Sequence, residues 1–248
     1  MASSSQVRRS RREALEAQRL QAAAKTRRNR ILFVAAGILV LALVIGVAAW
    51  GIISANRSGG SDIPPNANAA QNGILLAPAV EGAPTLEIFS DFNCTSCKAA
   101  DLTLDAALQQ IADEGKVNVV IHPVEMIIPN SREMAIAATC ADFGGKFHEF
   151  YHQAYIAQNG ESGFSDEQIM TTIPTAAGLA GEALTAYQTC YTTKATGSFV
   201  DKSTKNFLTL KRGTPTILLD GVVVNEKIWN SSTGTYDPDK LRALLAGL

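Results

Sequence analysis

The chain has 248 residues, 46% hydrophobic and 18% charged, with a formal net charge of −1. That apolar fraction excludes a wholly disordered chain, and the length allows one large domain or two small ones. Residues 1–30 hold nine Lys/Arg against two acids, whereas from residue 55 onward there are 13 basic and 21 acidic residues. The acidic larger part lacks the basic face that nucleic acid requires, so no nucleic-acid partner is expected.

The first predicted element is Ile31 to Ile53, 23 residues without a charge. As a helix it spans about 35 Å, enough for a hydrocarbon core of about 30 Å, and it satisfies its own backbone hydrogen bonds there. A cleaved signal peptide has an apolar stretch of only about 7–15 residues, so a retained transmembrane helix is expected, with lipid as its partner. Nine positive charges precede the span and only Arg57 lies close after it. The positive-inside rule then makes residues 1–30 a cytoplasmic tail and places the chain from about residue 55 outside the cytoplasm, on a single-pass cell-membrane protein. The pairs Arg8-Arg9 and Arg11-Arg12 are accounted for by this basic flank. Residues 54–77, with NRSGGSDIPPNANAAQNG at their centre, read as a flexible linker. The folded domain is expected over 78–248.

Thr85 to Ser90 is a short β-favouring run, and Ala99 to Gly115 places Leu102, Leu104, Ala107, Leu108 and Ile111 at helical spacing. Between them lies Cys94-Thr95-Ser96-Cys97. A thiol at the start of a helix feels the positive end of the dipole and unpaired N–H groups. Both favour the thiolate, the nucleophile of disulfide exchange. Cys94 is therefore expected to be exposed and acidic, and Cys97, one turn in, to be more buried and to resolve the mixed disulfide. Half a zinc site is the competing reading of C-x-x-C, but no second C-x-x-C exists. An inert structural disulfide is the other.

Lys116 to His122 reads as a second strand, completing a βαβ unit. A mostly helical block comes next, from about Ser131 to Lys211. In it, Lys146 to Gln158 is an aromatic-rich helix, and Ser165 with Gln168 forms a capping box. Cys140 and Cys190 both lie in helical stretches of this block. A structural disulfide tying two helices, contributing about 3–4 kcal/mol, is the simpler reading; a second redox pair is the alternative. Thr216–Leu219 and Val222–Val224 flank Asp220-Gly221, a strong hairpin signal. An amphipathic helix over Pro238–Ala246 closes the order β-α-β, helical block, β-β-α.

These residues carry a resemblance. Asp91-Phe92-Asn93-Cys94-Thr95-Ser96-Cys97-Lys98 after the first strand, Gly144-Gly145-Lys146-Phe147, Cys190, and Gly213-Thr214-Pro215-Thr216 before the hairpin resemble the DsbA-like disulfide oxidoreductases of the thioredoxin superfamily, over about residues 83–248. The resemblance implies an α/β thioredoxin-like fold with a helical insertion over about 126–212. It implies Cys94 and Cys97 as catalytic residues, a cis Pro215, and Thr214 and Pro215 as the substrate-binding pair. Two departures stand out. Thr95-Ser96 lacks the proline and histidine common between the family's cysteines, and Ile88 occupies the position where the family often has a buried acid. Period-2 alternation turns the neighbouring Glu87 to the other face.

His148-Glu149-Phe150-Tyr151-His152 also reads H-E-x-x-H, the zinc-protease spacing. Tyr155 and Gln158 stand where the metzincin extension needs Gly and His; Glu161, Glu167 and Glu182 are the downstream acids available as a third ligand. The resemblance puts this helix in the insertion, where packing accounts for the aromatics and leaves both histidines at a surface or edge. No metal or organic cofactor is expected. The resulting expectation is an exported enzyme that introduces disulfides into cysteine-containing exported proteins and is reoxidised by a membrane quinone-linked thiol oxidoreductase. Isomerases of the family add a dimerisation domain where this chain has only a spacer, so an oxidase and a monomer are expected. A reductase at the membrane is one alternative, and an anchored binding domain with a structural C-x-x-C is the other.

Overall fold

The computed structural model describes residues 60–127, 130–160 and 162–247. The expected anchor over 31–53 and its basic tail lie outside them. Among the described residues no helix is long and apolar enough to cross a membrane.

The centre is a mixed five-stranded sheet. β2 (Thr85–Ser90) leads into α1 (Thr95–Glu114), which returns to β3 (Asn118–Pro123). β2 and β3 run parallel, with Ile88 opposite Ile121 and Phe89 opposite His122. Gly115, at φ 65°, ends α1 in the left-handed conformation that suits glycine. β4 (Thr216–Leu219) pairs antiparallel with β2, and β5 (Val222–Val223) continues from it around Asp220-Gly221. Both turn residues have positive φ, as a tight hairpin needs.

Alternation along β2 divides the core. Leu86 and Ile88 join Val119, Ile217 and Leu219 in burying the Leu104, Leu108 and Ile111 face of α1, each such side chain contributing about 1.5–3 kcal/mol. Leu241 of α8 (Pro238–Leu245) closes that layer. Phe89 points to the other face and stacks on His122 and Phe207. The helical insertion comprises α2 (Asn130–Ala141), α3 (Phe147–Ala157), α4 (Ile173–Ala176), α5 (Gly181–Thr192) and α6 (Gly197–Thr209). Its centre is Met134, Phe150, Tyr155 and Tyr187, all buried. The Ser165–Gln168 capping box is formed, each residue donating its backbone N–H to the other's side chain. A short helix, α7 (Asn225–Ile228), and a hairpin, β6 (Trp229–Asn230) with β7 (Thr235–Tyr236), lie between β5 and α8 without a clear sequence signal.

The segment read as a linker is built into the domain from residue 60 on, which corrects the boundary at 78. β1 (Ile74–Leu75) pairs antiparallel with β3, and Ile74 is fully buried. Gly60 and Asp62 bond to the Lys194–Ala195 turn. Asn66 donates its backbone and side-chain N–H groups to the buried Asp142 carboxylate, each at 2.8 Å. Gly73 is needed for closeness: a Cβ there would lie 2.5 Å from Val120 Cγ1 and 2.6 Å from His122 Cε1. The polar and glycine content that suggests flexibility instead serves buried partners.

Candidate functional site

The C-x-x-C lies where β2 turns into α1. Cys94 is the N-cap, extended at φ −82° and ψ 119°, and its Sγ accepts the Cys97 backbone N–H at 3.4 Å. The loop before it is held by Asp91. One carboxylate oxygen accepts the Asn93 N–H and the Ser131 hydroxyl, both at 2.8 Å, and the other accepts the Met126 and Ile127 N–H groups. From the end of α3, Gln158 donates to the carbonyls of Phe92 and Cys94, at 2.5 and 3.1 Å. This loop and β4 bring together residues more than a hundred positions apart. Thr214–Pro215 is cis, and the Cys94 thiol donates to the Thr214 carbonyl at 3.2 Å.

Both thiols are unbonded and buried. Cys94 is only 7% exposed, which corrects the expectation of an open thiol; the Thr214–Pro215 loop sits on its sulfur. Its acidity is nonetheless high. The hydrogen bond from Cys97 lowers its pKa to about 6, against the opposing effect of burial, with help from Thr214 and the backbone N–H groups of Cys97 and Ser96. Cys97 goes the other way: burial, then its hydrogen bond to Cys94 and the charge there, push it well above the ordinary thiol range. The Thr214 hydroxyl is buried and has no other hydrogen-bond partner among the described residues, which leaves it able to serve a charged sulfur.

Beneath Cys97 lies a buried hydroxyl chain that the sequence does not announce. Tyr151 donates to Ser90 at 2.9 Å, Ser90 and Tyr155 share a 2.5 Å hydrogen bond, and Tyr155 donates to the Asp91 carbonyl at 3.1 Å. Ser90 and the Asp91 N–H favour the ionised Cys97. Burial raises both tyrosines well above their ordinary range, so they remain neutral. The only signal for them is the i, i+4 pair of aromatics with polar tips. Ile88 packs in the α1 layer, and Glu87 on the opposite face contacts His122 at 3.1 Å.

Cys140 and Cys190 lie outside this constellation. They are bonded to each other, with a Cα–Cα distance of 5.7 Å, and join α2 to α5. The histidines of the H-E-x-x-H stretch are not at a free edge. His148 meets Asp105 at 2.7 Å and His152 meets Asp101 at 2.8 Å, across the α1–α3 contact. Burial, then the charge of Asp105, raises Asp101 to about 7, against the effect of His152. For His148 burial acts downward, but the hydrogen bond and charge of Asp105 leave it raised.

A thioredoxin family model matches residues 80–236, most of the described domain. The chain belongs to the thioredoxin family. No curated protein sequence matches it. Among solved structures, it is similar to the MdbA protein of Actinomyces oris, a thiol-disulfide oxidoreductase, at 17% identity and TM-score 0.62, covering 77% of this chain and 93% of that one. DsbA from Mycobacterium tuberculosis is 17% identical, with TM-score 0.55 and coverage of 71% and 91%. BdbD from Bacillus subtilis is 19% identical, with TM-score 0.53 and coverage of 77% and 97%. At these identities the likeness establishes the thioredoxin-like α/β fold with its helical insertion.

Proposed function

We propose that this thioredoxin-family chain is a membrane-anchored thiol–disulfide oxidoreductase that introduces disulfides into exported proteins at Cys94–Cys97. One observation carries this reading: two unbonded thiols lie one turn apart at the start of α1, with Cys94 at the N-cap against the cis Thr214–Pro215 loop; that setting makes Cys94 the more acidic of the two.

In the oxidised enzyme a substrate thiolate attacks the Cys94 sulfur. The Cys94–Cys97 bond breaks, its electron pair goes to Cys97, and Cys97 takes up a proton to become the thiol its burial favours. A substrate–Cys94 mixed disulfide results. The second substrate thiolate then attacks the substrate sulfur of that bond and expels Cys94. A thiolate of low pKa is the better leaving group, so Cys94 departs readily and remains largely ionised at neutral pH. The substrate has lost two electrons and the enzyme has gained them. Stabilising the Cys94 thiolate favours the reduced enzyme, which makes its disulfide the stronger oxidant and favours oxidase over reductase.

Thr214 and Pro215 are the substrate-binding pair in this scheme. Pro215 has no N–H, and the loop offers its backbone to an extended peptide. The anchor over 31–53 keeps the domain beside the membrane, outside the cytoplasm, where a quinone-linked thiol oxidoreductase takes the electrons. The likeness to the MdbA protein, a thiol-disulfide oxidoreductase, and to DsbA supports disulfide exchange in general. The Cys140–Cys190 bond serves as a staple in the insertion. The test is oxidation of a reduced two-cysteine peptide by the oxidised full chain: stoichiometric peptide disulfide is expected from wild type and none from Cys94→Ser. Equal yields from the two would overturn the proposal.

A further inference from the structure

The helices that frame the dithiol carry a second group of chemistry-bearing side chains. On α1, Asp101 and Asp105 are four residues apart and share a face; on α3, His148 and His152 repeat the spacing. The two faces meet. His152 Nδ1 lies 2.8 Å from an Asp101 oxygen and 3.7 Å from an Asp105 oxygen, and His148 Nε2 lies 2.7 Å from the other Asp105 oxygen. Asp101, Asp105 and His152 each offer one ligand atom within 4.8 Å of the others.

Two separate His–Asp ion pairs account for each contact taken singly. They do not account for two carboxylates placed side by side with one imidazole nitrogen reaching both. The Asp101 side chain is only 2% exposed and that of Asp105 23%, so water screens the repulsion between the two carboxylates only in part. The nearby lysines are engaged elsewhere: Lys98 donates to the Gln158 carbonyl and Lys146 pairs with Glu149. A divalent cation offsets both carboxylate charges at once. The donor set identifies its class. Ca²⁺ takes six to eight oxygen ligands, more than this cluster offers, whereas an imidazole with two carboxylates and a water suits four-coordinate Zn²⁺.

We propose that Asp101, Asp105 and His152 form a binding site for a Zn²⁺-class divalent cation, with His148 holding Asp105 in position through its Nε2–H. The H-E-x-x-H spacing then contributes one ligand and one positioning residue to a site shared between two helices, while Glu149 remains paired with Lys146. Bound metal clamps α1, which carries Cys97, to α3, which carries Tyr151 and Tyr155.

The experiment uses the untagged full chain with Cys94–Cys97 oxidised, so that neither sulfur is a thiolate ligand. Metal-free protein is titrated with Co²⁺ by visible absorption and with Zn²⁺ by calorimetry, with Ca²⁺ as a parallel arm. One Co²⁺ per chain is expected, with tetrahedral d–d bands, no sulfur charge-transfer band and displacement by Zn²⁺. Asp105→Asn, His152→Gln and His148→Gln should each weaken Zn²⁺ binding about 10–100-fold, and Glu149→Gln should leave it unchanged. Zn²⁺ should raise the thermal midpoint of wild type more than that of Asp105→Asn. Absence of Zn²⁺ binding by wild type, equal binding by the ligand variants, or binding of Ca²⁺ in preference to Zn²⁺ would each overturn the proposal. The wild-type titration decides the matter even where a variant folds poorly.

Discussion

Replacing Cys97 by alanine asks what makes Cys94 acidic. The hydrogen bond from Cys97 is the largest influence bringing Cys94 down to about 6. A hydrogen bond to a charged group contributes about 1.5–3 kcal/mol. At about 1.36 kcal/mol per unit, its loss moves Cys94 up by about one to two units, to about 7–8. At pH 7 the thiolate fraction then falls from about 90% to between about 10% and 50%. With Cys140 and Cys190 bonded, Cys94 is the sole free thiol of the variant. Thiolate absorbance in the ultraviolet, followed across pH, gives the midpoint directly, and the pH dependence of iodoacetamide alkylation gives it independently. A midpoint within about 0.3 unit of the wild-type nucleophile would refute the reasoning and assign the acidity to the helix start and backbone alone.

Four further outcomes are expected. Thr214→Val removes a hydroxyl that helps lower Cys94, so its midpoint rises by about one unit in the same titration. The stability of the reduced protein depends on pH through Cys94: a depressed pKa contributes stability that is present above the ordinary value of 9.0 and lost as pH falls through about 6. Urea unfolding of the reduced form relative to the oxidised form should therefore show a gain as pH rises from 6 toward 9, and a flat difference over that window would contradict the assignment. Replacing Cys140 and Cys190 together by alanine should cost about 3–4 kcal/mol of unfolding free energy while leaving peptide oxidation intact; loss of oxidation with retained folding would make that pair a redox relay. Asp91→Asn puts an amide N–H₂ among donors that converge on the carboxylate, and denaturant unfolding should show a loss of about 2–3 kcal/mol.

Features written in local pattern are legible in the sequence. Alternation and turn chemistry mark β2, β3 and the β4–β5 hairpin, and helical spacing with a terminal glycine marks α1. The dithiol stands out because the strand-to-helix junction gives a C-x-x-C its chemistry. The features that escape a sequence reading depend on contacts distant along the chain. β1 is two residues long and exists because β3 accepts it, so no window along the chain reveals it. Asn66 looks like linker until its donors meet Asp142, 76 positions away. The hydroxyl chain beneath Cys97 joins Ser90 to residues more than 60 positions later, and the low exposure of Cys94 is imposed by a loop 120 positions on. His148 and His152 look peripheral in sequence because their partners, Asp101 and Asp105, lie on another helix.

The central claim is that exchange proceeds through a mixed disulfide on Cys94, with Cys97 as its buried partner thiol. The most direct measurement equilibrates the full chain with a reduced and oxidised glutathione series, then quenches with acid and locates each adduct by mass spectrometry. Wild type should pass between dithiol and disulfide, at a potential toward the oxidising end of the thioredoxin-fold range, about −120 mV rather than about −270 mV. Cys97→Ala should accumulate one glutathione, attached to Cys94. A pair that never exchanges, or an adduct that forms elsewhere than on Cys94, would contradict the account.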